Sequence, residues 1–133
     1  MNNLHNPTDT MPQLWKTRYG VINAVPGRCA VSRSLAHYGE WIEQELDLLS
    51  EIVVDDGCVL EFGSEFGAHA LWFARAVGER GQVHVVEPSR MVMQQLCANM
   101  ALNGLANVYP HRAWLGRADG NAELGSLLPG VDS

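Results

Sequence analysis

Cysteine is scarce in this chain. Cys29, Cys58 and Cys97 are the only three in 133 residues, and no two lie close together. An odd, unclustered set argues against a disulfide framework or a zinc motif and fits reduced thiols, with Cys58 and Cys97 expected to fill core space. No lysine-rich or arginine-rich run occurs and the net charge is −6, so nucleic acid is not an expected partner, because phosphate neutralisation needs clustered cations. No stretch approaches the roughly 20 apolar residues of a membrane span. The opening MNNLHNPTDTMPQLW has no basic region followed by an apolar core, so no signal peptide and a cytoplasmic location are expected. There is no internal repeat, and no Gly-Lys-Ser/Thr follows the glycines, which excludes a Walker loop. What is present is a 47% apolar composition with 18% charged residues, enough for a core in one domain.

The segment from Cys58 to Ser89 carries most of the information. Val59, Leu60 and Phe62 form a short apolar run that stops at Gly63, and the turn Gly63-Ser64-Glu65-Phe66-Gly67 follows. Ala68 to Val77 is Ala-rich and apolar, the pattern of a buried crossover helix, and Gly78 and Gly81 break it. Val83, Val85 and Val86 then form a second strand ending at Glu87-Pro88. Two parallel strands joined by a helix make a nucleotide-binding half-fold, with ligands at the carboxyl ends of the strands.

Glycine spacing narrows the ligand. A dinucleotide fingerprint needs Gly-x-Gly-x-x-Gly so that backbone N–H groups can approach a pyrophosphate. Here the pattern is Glu61-x-Gly63-x-x-x-Gly67, and Glu65 stands where the middle glycine would fall. A carboxylate there repels a pyrophosphate, which disfavours an NAD(P)-binding domain. An open glycine turn between acidic strand ends suits a ligand with a cation on one side and a ribose on the other. S-adenosyl-L-methionine has both. Glu87, 20 positions after Gly67, has the spacing of an acid that accepts hydrogen bonds from ribose hydroxyls.

The rest of the chain is organised around this unit. Residues 1–14 are polar and expected to fray. Val21-Ile22 and Cys29 to Val31 read as short extended pieces around a Pro26-Gly27 turn. Ile42, Leu46, Leu49 and Val53 recur at helical spacing from Glu40 to Val54, with Glu43, Glu45, Asp47 and Glu51 outside. Asp55-Asp56-Gly57 ends that helix. Ser89 is a candidate N-cap for a second crossover helix whose buried face is Val92, Leu96 and Met100, stopped at Asn103-Gly104. Val108 to Ala113 is the third strand, and the tail from Gly116 has no sustained periodicity.

With these blocks in order, the stretch from Ser34 to Gly116 resembles the FkbM-type S-adenosylmethionine-dependent methyltransferases. The likeness rests on Ser32 to Leu35, Tyr38-Gly39-Glu40-Trp41, the turn from Val59 to His69, Val83 to Pro88, and Leu96 to Val108. It implies an α/β, Rossmann-like class I methyltransferase fold with a partial three-stranded parallel sheet, order 3-2-1, and flanking helices. It implies S-adenosyl-L-methionine as cofactor, methyl transfer to oxygen, and a hydroxyl on a small molecule or glycan as acceptor. The cofactor contacts it implies are Glu61, Phe62, Gly63, Ser64, Glu65, Gly67, Glu87 and Pro88, with Glu61 near the ligand amino group. Two residues depart from the family pattern: Glu65 stands where Asn is usual and Ala70 where Thr is usual. Family members also continue through further strands. The chain is therefore expected to be an N-terminal piece, inactive alone, whose first sheet strand is a bare edge prone to association. The boundaries are an irregular segment over 1–33, the methyltransferase half over 34–116 and an irregular tail over 117–133. A cofactor-binding remnant without an acceptor site is the alternative.

No catalytic residue is named, because in-line transfer from a sulfonium requires positioning rather than a nucleophile, and no metal site is expected. His69 is read as packing against the turn, His84 as structural, His111 and Arg112 as exposed or near the ligand side, and Trp72 and Phe73 as core. Tyr38 and Trp41 are read as possible covers for the cofactor pocket or, for Trp41, as core.

Overall fold

The computed structural model describes residues 11–25 and 29–114; the expectations for the first ten residues and for the tail from Gly116 lie outside them. The sheet order is β3-β4-β5, from β3 (Cys58–Phe62), β4 (Gln82–Val86) and β5 (Val108–His111), all parallel. This is the expected 3-2-1 arrangement. The register sets Val59 against Val83 and Val83 against Val108, so apolar side chains stack on one face. The crossover helices α3 (Ala68–Ala76) and α4 (Arg90–Leu102) join the strands. Val83 and Val85 are fully buried in one cluster with Leu71, Ala74, Val77 and Leu96 from those helices. Ser89 caps α4, its hydroxyl accepting from the Val92 N–H, and Gly104 ends the helix at φ 64°.

The opposite face is different. There Leu60, His84 and Tyr109 are register partners, and His84 is 1% exposed. Its Nδ1 lies 2.9 Å from His111 Nε2 and its ring stacks on Tyr109. One imidazole must donate to the other, so both cannot be charged; burial, and for His84 also the neighbouring ring, holds both below the usual histidine range.

β3 is the edge of the sheet among the described residues. Gly57 accepts from Gln82 and Gly63 donates to Val86. Odd-numbered residues therefore face β4, and the backbone groups of Cys58, Leu60 and Phe62 point the other way.

Several local expectations are corrected. The helix read over Glu40 to Val54 is only α2 (Glu43–Leu49). Ile42 precedes it at φ 48° and is 42% exposed, so it is not part of the buried face; only Leu46 is fully buried. Cys29 to Val31 is not extended: Cys29 caps α1 (Ala30–Tyr38), paired reciprocally with Ser32 in a capping box. β5 stops at His111 rather than Ala113. Cys58 and Cys97 are exposed rather than buried. Cys58 begins the edge strand, and Cys97 lies on the exposed side of α4 with Gln94 and Ala101.

Residues 13–24 form a hairpin, β1 (Gln13–Thr17) and β2 (Gly20–Ala24), in antiparallel register with Trp15 opposite Ile22. The extended reading of Val21-Ile22 agrees with β2, whereas Gln13 and Leu14, within the stretch expected to fray, are paired in β1 with Ala24 and Asn23. The hairpin docks on α4 through side-chain amides. Asn103 accepts from the Val21 N–H (3.0 Å) and donates to the Val21 carbonyl (2.7 Å). Asn99, one helical turn earlier, does the same at Asn23 (2.6 and 3.1 Å). The helix thus presents two amides to β2 as a neighbouring strand would present peptide groups. At the hairpin turn, buried Tyr19 donates to the Glu43 carboxylate and accepts from the Trp41 N–H, which ties α2 to the same unit.

Candidate functional site

At the carboxyl end of β3 the chain leaves the sheet at Gly63, φ 81°, a conformation that favours glycine. Glu65 and Phe66 follow at φ 40° and 68°, inside a short 3₁₀ turn, Glu65–Gly67. Left-handed backbone at two non-glycine residues is strained by roughly 1–2 kcal/mol each. It is held here by a hydrogen bond from Asn99 Nδ2 to the Phe66 carbonyl at 2.6 Å. Gly67 serves packing: a Cβ there would lie 2.8 Å from Leu96 Cδ1 and 3.1 Å from Met100 Cε. Absence of a side chain at Gly67 therefore lets the turn sit directly on α4.

Beside this turn is a cavity of about 290 Å³. Its walls come from Trp41 and Glu45, from Leu60 to Glu65 along the strand end and turn, and from Ala68, His69 and Phe73 on α3. Among the described residues, no lysine or arginine lines it. His69 donates from Nε2 to the Trp41 carbonyl at 2.9 Å, which fixes the tryptophan segment over the turn. Tyr38, by contrast, is 75% exposed and forms no part of the wall.

Glu61 is the unusual group. Its Oε2 is buried and has no hydrogen-bond partner among the described residues. Burial, reinforced by the Glu45 and Glu87 carboxylates, pushes its pKa up to about 8. The amphipathic pattern sets Glu45 toward solvent, and it is exposed there, at the rim of the same cavity. Helical periodicity within one element cannot show that the end of a strand approaches it, so its place opposite Glu61 had no sequence signal.

Glu87 is only 6% exposed and is already engaged. Its Oε2 accepts from the Ser64 N–H (3.0 Å) and hydroxyl (3.3 Å), and its Oε1 from the Ser89 N–H (2.8 Å). It clamps the first turn to the end of β4. Of about four acceptor positions on a carboxylate, one remains.

Of the eight residues proposed from the sequence, Glu61, Phe62, Gly63, Ser64 and Glu65 converge on the cavity wall. Gly67, Glu87 and Pro88 do not line it; Gly67 packs against α4 and Glu87 supports Ser64 from behind. Among the described residues there is no group of three or more His, Cys, Asp or Glu placed to hold a metal ion, and no helix long and apolar enough to cross a membrane.

No protein-family model matches this sequence, and no curated protein matches it at a significant level. Solved structures do resemble the fold. A protein-L-isoaspartate O-methyltransferase superposes with a TM-score of 0.51 at 22% identity, over 77% of this chain and 28% of that one. A SAM-dependent O-methyltransferase from Thermotoga maritima superposes with a TM-score of 0.50 at 16% identity, over 77% of this chain and 48% of that one. At these identities the likeness shows the fold, an α/β Rossmann-like arrangement of the class I methyltransferase type. The chain spans less than half the length of either structure.

Proposed function

We propose that this chain carries the S-adenosyl-L-methionine-binding half of a methyltransferase. The finer reading is an FkbM-type enzyme, with the chain as its N-terminal part and a hydroxyl of a small molecule or glycan as acceptor. The observation that carries the cofactor reading is Glu61: a half-buried side chain whose Oε2 is buried and, among the described residues, without a partner or a facing cation, opening on a cavity beside a left-handed glycine turn. An unpaired buried carboxylate is costly, and a ligand ammonium would pair it.

The remaining residues fit the same ligand. Gly63 leaves open space on the cavity side. Glu87 lies outside the cavity wall and acts through Ser64, whose N–H and hydroxyl it holds. Trp41 and Phe73 supply apolar wall. When bound, the cofactor supplies an activated methyl on a sulfonium. The protein's part is to hold that group in line with an acceptor oxygen and exclude water. A nicotinamide dinucleotide fits less well, since its pyrophosphate would meet the Glu65 carboxylate in a cavity that, among the described residues, has no lysine or arginine in its wall.

Two measurements test this. Calorimetric titration with S-adenosylhomocysteine should show saturable binding; none at any pH would remove the cofactor reading. Methyl transfer to hydroxyl acceptors separates an enzyme from a binding-only remnant. Glu65 offers a sharper check. It is exposed, lines the cavity and holds a left-handed φ that asparagine tolerates better. Glu65→Asn should tighten binding about fivefold, because it removes a like charge facing the ligand carboxylate, worth about 1 kcal/mol in a partly screened site. Weaker binding would mean instead that Glu65 holds the amino group.

A further inference from the structure

Glu61 also sets how the site responds to pH. We propose that cofactor uptake at this cavity is coupled to the release of one proton from Glu61. The inference rests on the cofactor reading above.

Among the described residues, the groups around Glu61 give its buried Oε2 no hydrogen-bond partner and its carboxyl no counter-charge. Glu45 faces it from α2 and Glu87 from the end of β4; Glu65 on the turn and His69 on α3 line the same cavity. Three of these are acids. The Nε2–H of His69 is committed to the Trp41 carbonyl. Without a ligand, a carboxyl with its Oε2 buried and unpartnered therefore keeps its proton through neutral pH, in line with its pKa of about 8.

A ligand ammonium changes the balance. A neutral Glu61 carboxylic acid and a protonated ligand amine become a carboxylate–ammonium pair, and the carboxyl proton goes to buffer. An opposite charge at hydrogen-bond distance lowers a carboxyl pKa by about 1–3 units. The free protein then holds a proton that the complex lacks, so affinity rises with pH. The limit is about tenfold per pH unit, and the slope flattens toward pH 8.

Folding shows the opposite sign. In the unfolded chain Glu61 loses its proton near 4.5, whereas in the folded chain it keeps it to about 8. The folded state binds more protons across that window, so the stability Glu61 contributes is complete below the lower value and is lost as pH rises through the upper one.

The test uses the whole chain and S-adenosylhomocysteine, which has the amino group but no sulfonium. Titration calorimetry in two buffers of different ionisation enthalpy counts the protons. At pH 6.5 the expected count is about 0.2 where binding lowers the carboxyl pKa by about 1 and about 0.9 where it lowers it by about 3, with affinity rising about twofold to twentyfold between pH 5.5 and 7, where an α-amino group stays protonated. Glu61→Gln should bind with no Glu61 proton released and should lose this slope. Melting of the ligand-free protein gives a readout independent of binding: wild type should lose stability from pH 5 to 8 relative to Glu61→Gln. Binding without proton release would overturn the coupling and leave the cofactor reading in place. No binding at any pH would overturn that reading and the coupling with it. Parallel melting profiles for the two proteins would overturn the coupling alone. If Glu61→Gln does not fold, the wild-type proton count decides.

Discussion

Gly63→Val is expected to abolish binding of S-adenosylhomocysteine while leaving the chain folded. A Cβ at Gly63 would meet no atom within 4 Å, so an added side chain has room in the ligand-free protein. That room is the cavity itself, about 290 Å³, and an isopropyl group would occupy the part nearest Glu61. The backbone cost is separate. A β-branched residue at φ 81° is strained by roughly 1–3 kcal/mol, which lowers stability whatever the ligand does. Gly78 separates the two effects. It has φ 75° and open space around its Cβ, and it lies away from the cavity. Gly78→Val should therefore lose similar stability yet keep its affinity. Gly63→Ala adds less bulk and should weaken binding less than valine does. Unchanged affinity in a folded Gly63→Val protein would sink the assignment of this cavity to the cofactor.

Much of this site was legible in the sequence because it is local. The strand end, the glycine turn and Glu87 lie on one continuous unit, and period-two and helical patterns place each element in order. The order β3-β4-β5 follows from right-handed crossovers alone. What could not be read is what distant segments do to one another. Glu87 has the spacing of a ribose acceptor, but the sequence does not show that Ser64 and Ser89 engage it first. Gly67 looks like a ligand-facing glycine until Leu96 and Met100 are found against it. Glu45 and Glu61 are 16 positions apart and meet only because α2 folds back over the strand end. The hairpin was the largest omission. Its sequence, from Gln13 to Ala24, has weak alternation, and its partner is not a strand but a row of asparagines on a helix. Asn99 and Asn103 supported a family resemblance, yet nothing in their spacing announced that they would serve as hydrogen-bond partners for β2.

Those asparagines carry the second large expected effect. Asn99→Ala should destabilise the chain by about 3–4 kcal/mol in urea unfolding. Asn99 is 0% exposed and makes three bonds with its side chain: it accepts from the Asn23 N–H and donates to the Asn23 and Phe66 carbonyls. Alanine would leave these backbone groups without partners, and each buried unsatisfied group costs about 1–3 kcal/mol, less where water can enter. Asn103 provides the internal scale. It pairs with Val21 in the same way but is only half-buried, so water can replace its amide and Asn103→Ala should cost about 1 kcal/mol. Asn99→Asp keeps the acceptor for Asn23 but sets a carboxylate against two carbonyls, and should be at least as damaging as alanine. Negligible losses for both Asn99→Ala and Asn103→Ala would show that the amide row does not hold the hairpin. The effect should also reach the site. The bond to the Phe66 carbonyl restrains the left-handed pair Glu65-Phe66, whose strain favours relaxation once that bond is gone. Asn99→Ala is therefore expected to weaken S-adenosylhomocysteine binding even where the protein stays folded, although Asn99 lies outside the cavity wall. Asn103→Ala should leave affinity unchanged.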